Sequence, residues 1–495
     1  MALGGLDIGT SGCKCTVMNA EGRLLSSCYQ EYAVSRTAGA HEVDAQVIWE
    51  AVCTVIRGAA AKSGEAMTAL CATSFGESCV LLDEEGKELG PILLYTDPRG
   101  QEQCDELMDK IPEKDIYRIC GHRPNPTYFL PKLMWIKQNQ PETYEKIRYV
   151  LPVNAYIVFR LTGEAVADYS LAARTMMLDI RTRDWSNTLL QAAGIYRGIL
   201  PRVIEPGTAA GKGRRSTAEE LGLNPDTLVV IGCHDQVAAS IGAGAMKAGC
   251  AVNGSGTVEC VTPVFDRIPE HPVLFDSGYA IVPAIRDLYV TYAYILTGGV
   301  LLQWYRDQFA DSAYARAKAE GKNIYAVLDG MVKPEPTGIL LLPHFAGAAT
   351  PYMDMGAKGA ICGLSVENDA ADVYQAMLEG ICYEMRMNLE LLEQAGIVIE
   401  GLRATGGGSR SPVWLQIKAD ILNKPIDTLN VDEAGTVGSL MLAGLATGDY
   451  ANLEEAFALV HTVNRLIPAD NRNRYTPIFN RYRRLYQALK TVFNA

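Results

Sequence analysis

Asp7, Thr10, Ser11 and Lys14 fall together in the stretch GLDIGTSGCKCTV, residues 5–17. A carboxylate, two hydroxyls and an ammonium around Gly9 and Gly12 suit a metal-bound anion. The two glycines let backbone N–H groups turn toward an anion with no Cβ in the way. Thr10 and Ser11 add hydroxyl donors, and Lys14 can reach the same charge. Asp7 would repel a bare phosphate, so its sensible partner is a hydrated Mg²⁺ bridging phosphate oxygens. The same residue types also build ordinary hairpin turns. A second loop, Asn253-Gly254-Ser255-Gly256-Thr257, offers another set of N–H and hydroxyl donors. A third glycine cluster, Gly406-Gly407-Gly408, stands where a flat base or ribose could approach the backbone closely. Each loop alone is weak. The ordered set of three fits a nucleoside triphosphate held by loops from two domains.

These loops need elements to position them. Leu3–Ile8, Cys13–Asn19 and Leu24–Tyr29 read as short strands, with turns at 9–12 and 20–22. Residues 44–64 read as a helix, capped by Asp44 and stopped by Gly64, with Val47, Ile48, Val52, Val55 and Ile56 on one face. TALCATS (68–74) is a candidate buried strand, and 79–95 reads as a hairpin around Glu85-Gly86. Residues 250–265 repeat the opening design of strand, glycine loop and returning strand. Residues 378–396 read as a helix. Residues 401–422 read as strand, glycine turn and helix, with Ser411 as N-cap and Pro412 in the first turn. Residues 433–448 read as a small-residue helix. This alternation is an α/β pattern. Gly- and Ala-rich residues near 240–252 mark the division, giving 1–245 and 246–495 as domains.

The chain has 495 residues, more than one core usually serves, so two or three domains are expected. A net charge of −12 argues against a general nucleic-acid binder. The 13 cysteines show no CxxC pair and read as reduced, mostly buried thiols. No apolar run approaches the roughly 18 residues of a membrane span, and no leader opens the chain. The expectation is a cytoplasmic protein that takes neither nucleic acid nor membrane as partner.

The chain resembles the FGGY carbohydrate kinases, the group of xylulokinases, gluconate kinases and glycerol kinases. The matching stretches are LDIGTSGCKCTV, GCHDQVAASIGAG (232–244), NGSGTVE (253–259), ATGGGSRSPVWLQIKADIL (404–422) and EAGTVGSLMLAGLATG (433–448). They occur in the family's order across nearly the whole chain. The resemblance implies an actin-like fold, with two ribonuclease H-like α/β domains around a central cleft. The first domain would bind sugar and the second nucleotide. The implied activity is transfer of the γ-phosphate of ATP, with Mg²⁺, to a small sugar or polyol such as xylulose. Dimers are common in the family.

The family's catalytic base falls on Asp235. TLVVIGCHD (227–235) is a buried strand whose last residue would emerge at the crevice where open α/β sheets bind ligands. A carboxylate there can accept the proton of an attacking hydroxyl. The competing reading is a helix N-cap before QVAASIGAGAM. His234 would point to the other face of the strand and pack. By the same resemblance, Asp7 would help hold Mg²⁺, while Thr10, Ser11 and Lys14 would meet the β- and γ-phosphates. Gly256 and Thr257 would meet the γ-phosphate, and Gly407 and Gly408 the adenine and ribose. Ser411 would lie near, and Gln303 would border the nucleotide.

On the sugar side, TSFGESCVLLD (73–83) carries Gly76-Glu77 where xylulokinases have Met-His and glycerol kinases Arg-Glu. Glu77 then resembles a hydroxyl-binding acid without its arginine neighbour. YTDPR (95–99) makes Asp97 a second hydroxyl ligand and Arg99 structural. Tyr128 falls where relatives place an aromatic, and Gln236 follows the base. Gly76 suggests room for extra carbons. Two free carboxylates, Glu77 and Asp97, would repel an acid. Together these favour a neutral ketose or polyol over glycerol or gluconate. GAATPYMDMGAKG (347–359) departs from the family stretch, with Ala348 and Ala349 at a charged pair. The reading from another class is an actin-like ATPase that works by conformational change.

Overall fold

The computed structural model describes residues 2–19, 21–469 and 472–493. The sequence reading cuts the chain once, near 245, but the compact units interleave. One unit runs to Met246 and also takes Ala280–Val290 and Glu433–Val460. The other comprises Lys247–Tyr279, Thr291–Asp432 and the residues from His461 on.

The first unit is built on a six-stranded sheet in the order Ala209–Lys212, Leu228–His234, Met67–Ser74, Ala2–Ile8, Gly12–Asn19, Leu24–Glu31. The opening three strands form an antiparallel meander, as their alternation and glycine turns predict. Ala2–Ile8, Met67–Ser74 and Leu228–His234 run parallel at its centre. Helix Ala45–Ser63 begins at Asp44, whose carboxylate accepts from Gln46 N at 2.8 Å, and ends at Gly64 with φ 71°. Its Ile48, Val52, Val55 and Ile56 are buried, each stabilising the unit by roughly 1.5–3 kcal/mol. The expected hairpin around Glu85-Gly86 forms over 81–89: Gly86 N donates to the Asp83 carbonyl, Asp83 N to the Lys87 carbonyl at 3.0 Å and Leu89 N to the Leu81 carbonyl at 2.9 Å, with Leu82 bridged to Glu88. Strand Cys79–Leu82 also pairs antiparallel with Tyr149–Pro152, a partner distant in sequence.

Helix Ala434–Thr447 returns to this unit and packs on helix Asp235–Gly242. The two backbones touch through glycine. A Cβ on Gly242 would lie 1.8 Å from the Ala434 carbonyl oxygen, and one on Gly438 2.0 Å from that of Ala238. Neither site admits a side chain.

The second unit repeats the motif. Gly249–Ser255 and Glu259–Phe265 form an antiparallel hairpin, and Ile399–Thr405 lies parallel beside the first of them. Ile426–Leu429 and Thr462–Leu466 extend that sheet. The long buried helix Ala370–Gln394 starts at a reciprocal cap between Asp369 and Asp372. All 13 cysteines are free thiols. Among the described residues no helix is long and apolar enough to cross a membrane.

Candidate active site

Three parallel strands of the first unit end side by side. Asp7 pairs in register with Thr73, and Ser74 with His234. Asp7, Glu77 and Asp235 therefore all arise at the carboxyl ends of these strands, where parallel sheets bind ligands. Asp235 is the first residue of helix Asp235–Gly242, and His234, not Asp235, occupies the cap position. Strand alternation has stopped there, so His234 does not face away from Asp235. Its Nε2 lies 3.2 Å from the buried Oδ1 of Asp235, while the Asp235 side chain as a whole is 38% exposed. Burial raises the Asp235 carboxyl to about 6, partly offset by hydrogen bonds from Gln236 and by the Arg174 charge. Burial, then Arg174, pushes His234 well below the usual imidazole range, so it is neutral.

The chain behind this strand end was not foreseen. His234 N donates to Ser170 Oγ at 2.8 Å. Ser170 in turn bonds to Asp168 Oδ1, which also caps Ser170 N and Leu171 N. Asp168 is fully buried and accepts from Asn154 Nδ2 at 3.1 Å. The Asp-x-Ser pattern in ADYSLAAR (167–174) is the signal that could have revealed this cap.

Glu77 is buried and held at φ 62°, the left-handed region that few non-glycine residues adopt. Its Oε1 accepts from Arg174 Nη2. The Arg174 guanidinium also lies over the Tyr128 ring at 5.4 Å, and that ring packs on His122 at 4.6 Å. Glu77 thus has an arginine partner from a distant segment. Gly76 leaves no open room, since a Cβ there would sit 3.0 Å from His234 Cδ2 and 3.5 Å from Arg174 Cβ. The glycine admits the imidazole.

Asp97 is a second correction. It is 2% exposed. His41 N and Arg99 Nη2 occupy Oδ2, while Arg99 N and Nε occupy Oδ1. These four bonds use its lone pairs, so it has none to offer a sugar. Against the cost of burial, those bonds hold its carboxyl below the ordinary range. Arg99 also pairs with Glu42 and so ties two segments together. With Glu77 and Asp97 both paired, the argument that free carboxylates repel an acid falls away. Ala348 and Ala349 are buried.

In the opening hairpin, Asp7 stands opposite Lys14. Gly9 N donates to the Gly12 carbonyl at 2.9 Å, and Tyr32 N to the Ser11 carbonyl at 3.1 Å, which fixes the loop bearing Thr10 and Ser11. Lys14 Nζ bonds to Glu433 Oε1, a partner no local pattern announces. A Cβ on Gly435 would lie 3.8 Å from Asp7 Oδ2 and 4.0 Å from the Asp235 carbonyl oxygen, so both residues meet one helix start. Burial, then the charges of Asp235 and Glu433, raise the Asp7 carboxyl to about 7, with Lys14 opposing. A divalent cation would relieve that repulsion. Among the described residues no group of three or more His, Cys, Asp or Glu could cage a metal. One carboxylate with water and phosphate ligands is the arrangement Mg²⁺ prefers, and Asp7 fits it.

In the second unit, Gly256 and Thr257 are exposed at the hairpin tip. Their carbonyls accept from Gly299, Gly298 and Val300 N–H at 2.8, 3.0 and 3.2 Å, seating the tip on helix Gly299–Phe309. Gln303 is exposed on that helix. Gly254 pairs in register with Thr405, so the tip and the glycine triplet share one sheet end. Gly406 has φ 78°, and a Cβ there would lie 2.7 Å from the Ser255 carbonyl oxygen. Gly407 and Gly408 enter a short 3₁₀ turn. Ser411 is occupied as the cap: its Oγ donates to Asp329 Oδ2 at 2.6 Å and accepts from Trp414 N at 3.1 Å.

Residues 2–242 match the profile of the FGGY family of carbohydrate kinases, N-terminal domain, and residues 260–447 match its C-terminal domain. A xylulose kinase of Lactococcus lactis is 26% identical over 99% of this chain and 96% of its own length. A gluconokinase of Bacillus subtilis is 27% identical over 98% of this chain and 96% of its own. The crystal structure of a Brucella ovis protein, described as a xyloylose kinase, superposes with a TM-score of 0.88 at 30% identity, covering 99% of this chain and 100% of that one.

Proposed function

The chain belongs to the FGGY family of carbohydrate kinases, ATP-dependent sugar kinases of actin-like fold, and on that premise we propose that it phosphorylates a ketose of the xylulose type with Asp235 as general base. The observation that carries this reading is Asp235 itself. It stands at the carboxyl end of a central parallel strand with one oxygen buried beside neutral His234 and a carboxyl near 6. Such a group is ionised at neutral pH yet basic enough to take a proton as a sugar hydroxyl attacks the γ-phosphorus. Gln236 holds the carboxylate. Glu77, fixed by Arg174, and Tyr128 face the sugar's other hydroxyls. Thr10, Ser11 and Lys14 bind phosphate from the first unit. Gly256 and Thr257 take the γ-phosphate, and Gly407, Gly408 and Gln303 the nucleoside. Magnesium bound through Asp7 would neutralise phosphate charge, which is the main catalytic demand of phosphoryl transfer.

A second substrate, an aldonate such as gluconate, is favoured by one feature: Arg174 brings a cation to Glu77. The test is ADP release across D-xylulose, other ketoses, polyols, glycerol and gluconate. The expected order puts a five-carbon ketose first in kcat/KM. Gluconate or glycerol ahead by about tenfold, 1.4 kcal/mol, overturns the ketose. Equal ADP release with no acceptor overturns sugar transfer and favours a conformational ATPase.

A further inference from the structure

Beneath the two glycine loops of the second unit lies a buried ion pair. Glu259 is 0% exposed and Lys418 2%. Lys418 Nζ is 2.6 Å from Glu259 Oε1, 2.5 Å from Ser255 Oγ and 3.1 Å from Asn253 Oδ1. Its three donors are thereby used. Asn253 Nδ2 and Ser255 Oγ add bonds to the same Oε1, at 2.6 and 3.1 Å. The ammonium also sits 3.9 Å from the Trp414 ring centre.

A buried ion pair is a weak source of stability, since well-packed apolar residues would serve as well. Its placement says more. Ser255 is clamped on two sides. From below, Lys418 and Glu259 hold its hydroxyl. From the other side, a Cβ on Gly406 would lie 2.7 Å from its carbonyl oxygen, and one on Gly408 2.5 Å from its Cβ. The Trp414 ring fills the space between, with Cζ3 2.8 Å from that same Gly408 position. Ser255 is the residue before Gly256 and Thr257, so whatever fixes it fixes the hairpin tip against the glycine turn.

We propose that Glu259 and Lys418 are positioning residues for the nucleotide: through Ser255 they set the spacing between the Gly256-Thr257 tip and the Gly406–Gly408 turn. The proposal rests on reading these two loops as the nucleotide site. Neither charged group touches the nucleotide; they act by holding backbone that does.

The test uses the full chain, with Mg·AMP-PNP and D-xylulose as probes, in two variants. Glu259→Gln with Lys418→Met removes both charges and leaves neither unpaired. Ser255→Ala removes only the hydroxyl link. The melting temperature of the double variant should stay near wild type. Its Kd for Mg·AMP-PNP should rise by about 10- to 100-fold, as for loss of alignment by a fraction of an ångström or more. Ser255→Ala should weaken nucleotide binding less, in the same direction. Both should keep the wild-type KM for D-xylulose and recover kcat at saturating ATP. Nucleotide affinity within about twofold of wild type, roughly 0.4 kcal/mol, in the folded variants overturns the proposal. If the double variant does not fold, Ser255→Ala decides alone by the same criterion. Failure of the wild type to bind Mg·AMP-PNP would instead overturn the reading of the loops.

Discussion

Asp235→Asn keeps the shape of the side chain and removes its ability to accept a proton. Loss of a general base costs roughly 10²- to 10⁴-fold, so kcat should fall by that factor while sugar affinity holds. The structure adds a second, independent signature. With the carboxyl raised from 3.8 to about 6, about 91% is ionised at pH 7 and about 9% at pH 5. In wild type, kcat/KM for the sugar should therefore fall about tenfold over that interval. An unshifted carboxylate would still be about 94% ionised at pH 5 and would show almost no fall. The assay is coupled ADP release from pH 5 to 8 with saturating MgATP. Saturation matters because Asp7, at about 7 without a cation, titrates in the same range. The Asp235→Asn variant should show low activity with no acid limb centred near 6. A variant within tenfold of wild type, or a wild-type profile flat to pH 5, refutes the role of Asp235 as base.

Arg174→Met removes the charged hydrogen bond to Glu77, a contact worth roughly 1.5–3 kcal/mol. The sugar KM should rise about 10- to 100-fold with the ATP KM unchanged, and equal rises in both would make Arg174 merely structural. Glu379 is a fully buried carboxyl raised from 4.5 to about 7 by burial, against hydrogen bonds from Thr337 and Gln375. A raised acid favours the folded state in its neutral form, so wild-type stability should decline as pH rises from about 4.5 through 7, by about 3 kcal/mol in full. Glu379→Gln cannot titrate, so its melting temperature should gain on wild type between pH 5 and 8, and a constant difference refutes the assignment.

The first-unit meander, the Asp44–Gly64 helix and the 401–422 strand–turn–helix were legible because each is fixed by local signals: alternation, a cap, a glycine. The glycine turns at 9–12, 254–257 and 406–408 were legible as turns for the same reason, since glycine and hydroxyl spacing acts within a few residues. The side-chain pairs of the candidate site were not. Glu77 and Arg174 are 97 residues apart, and Lys14 and Glu433 are 419 apart. No periodicity links such pairs. Asp97 differs: three of its four hydrogen bonds come from Arg99, two residues on, and only the fourth, from His41 N, is distant in sequence. His234 was misplaced because the strand ends at it, and the helix that follows breaks the alternation.

The return of Glu433–Val460 to the first unit has a consequence for biosynthesis. The helix bearing Asp235 seats its Gly242 against the Ala434 backbone, and that surface does not exist until the ribosome has passed residue 434. A chain emerges at about 5–20 residues per second, so the amino-terminal half waits on the order of 10–40 s between the synthesis of Met246 and that of Glu433. During that interval the sheet carrying Asp7 and Asp235 lacks one of its covering helices. A fragment ending near residue 245 would stay in that state, with the surface that Ala434–Thr447 covers left open.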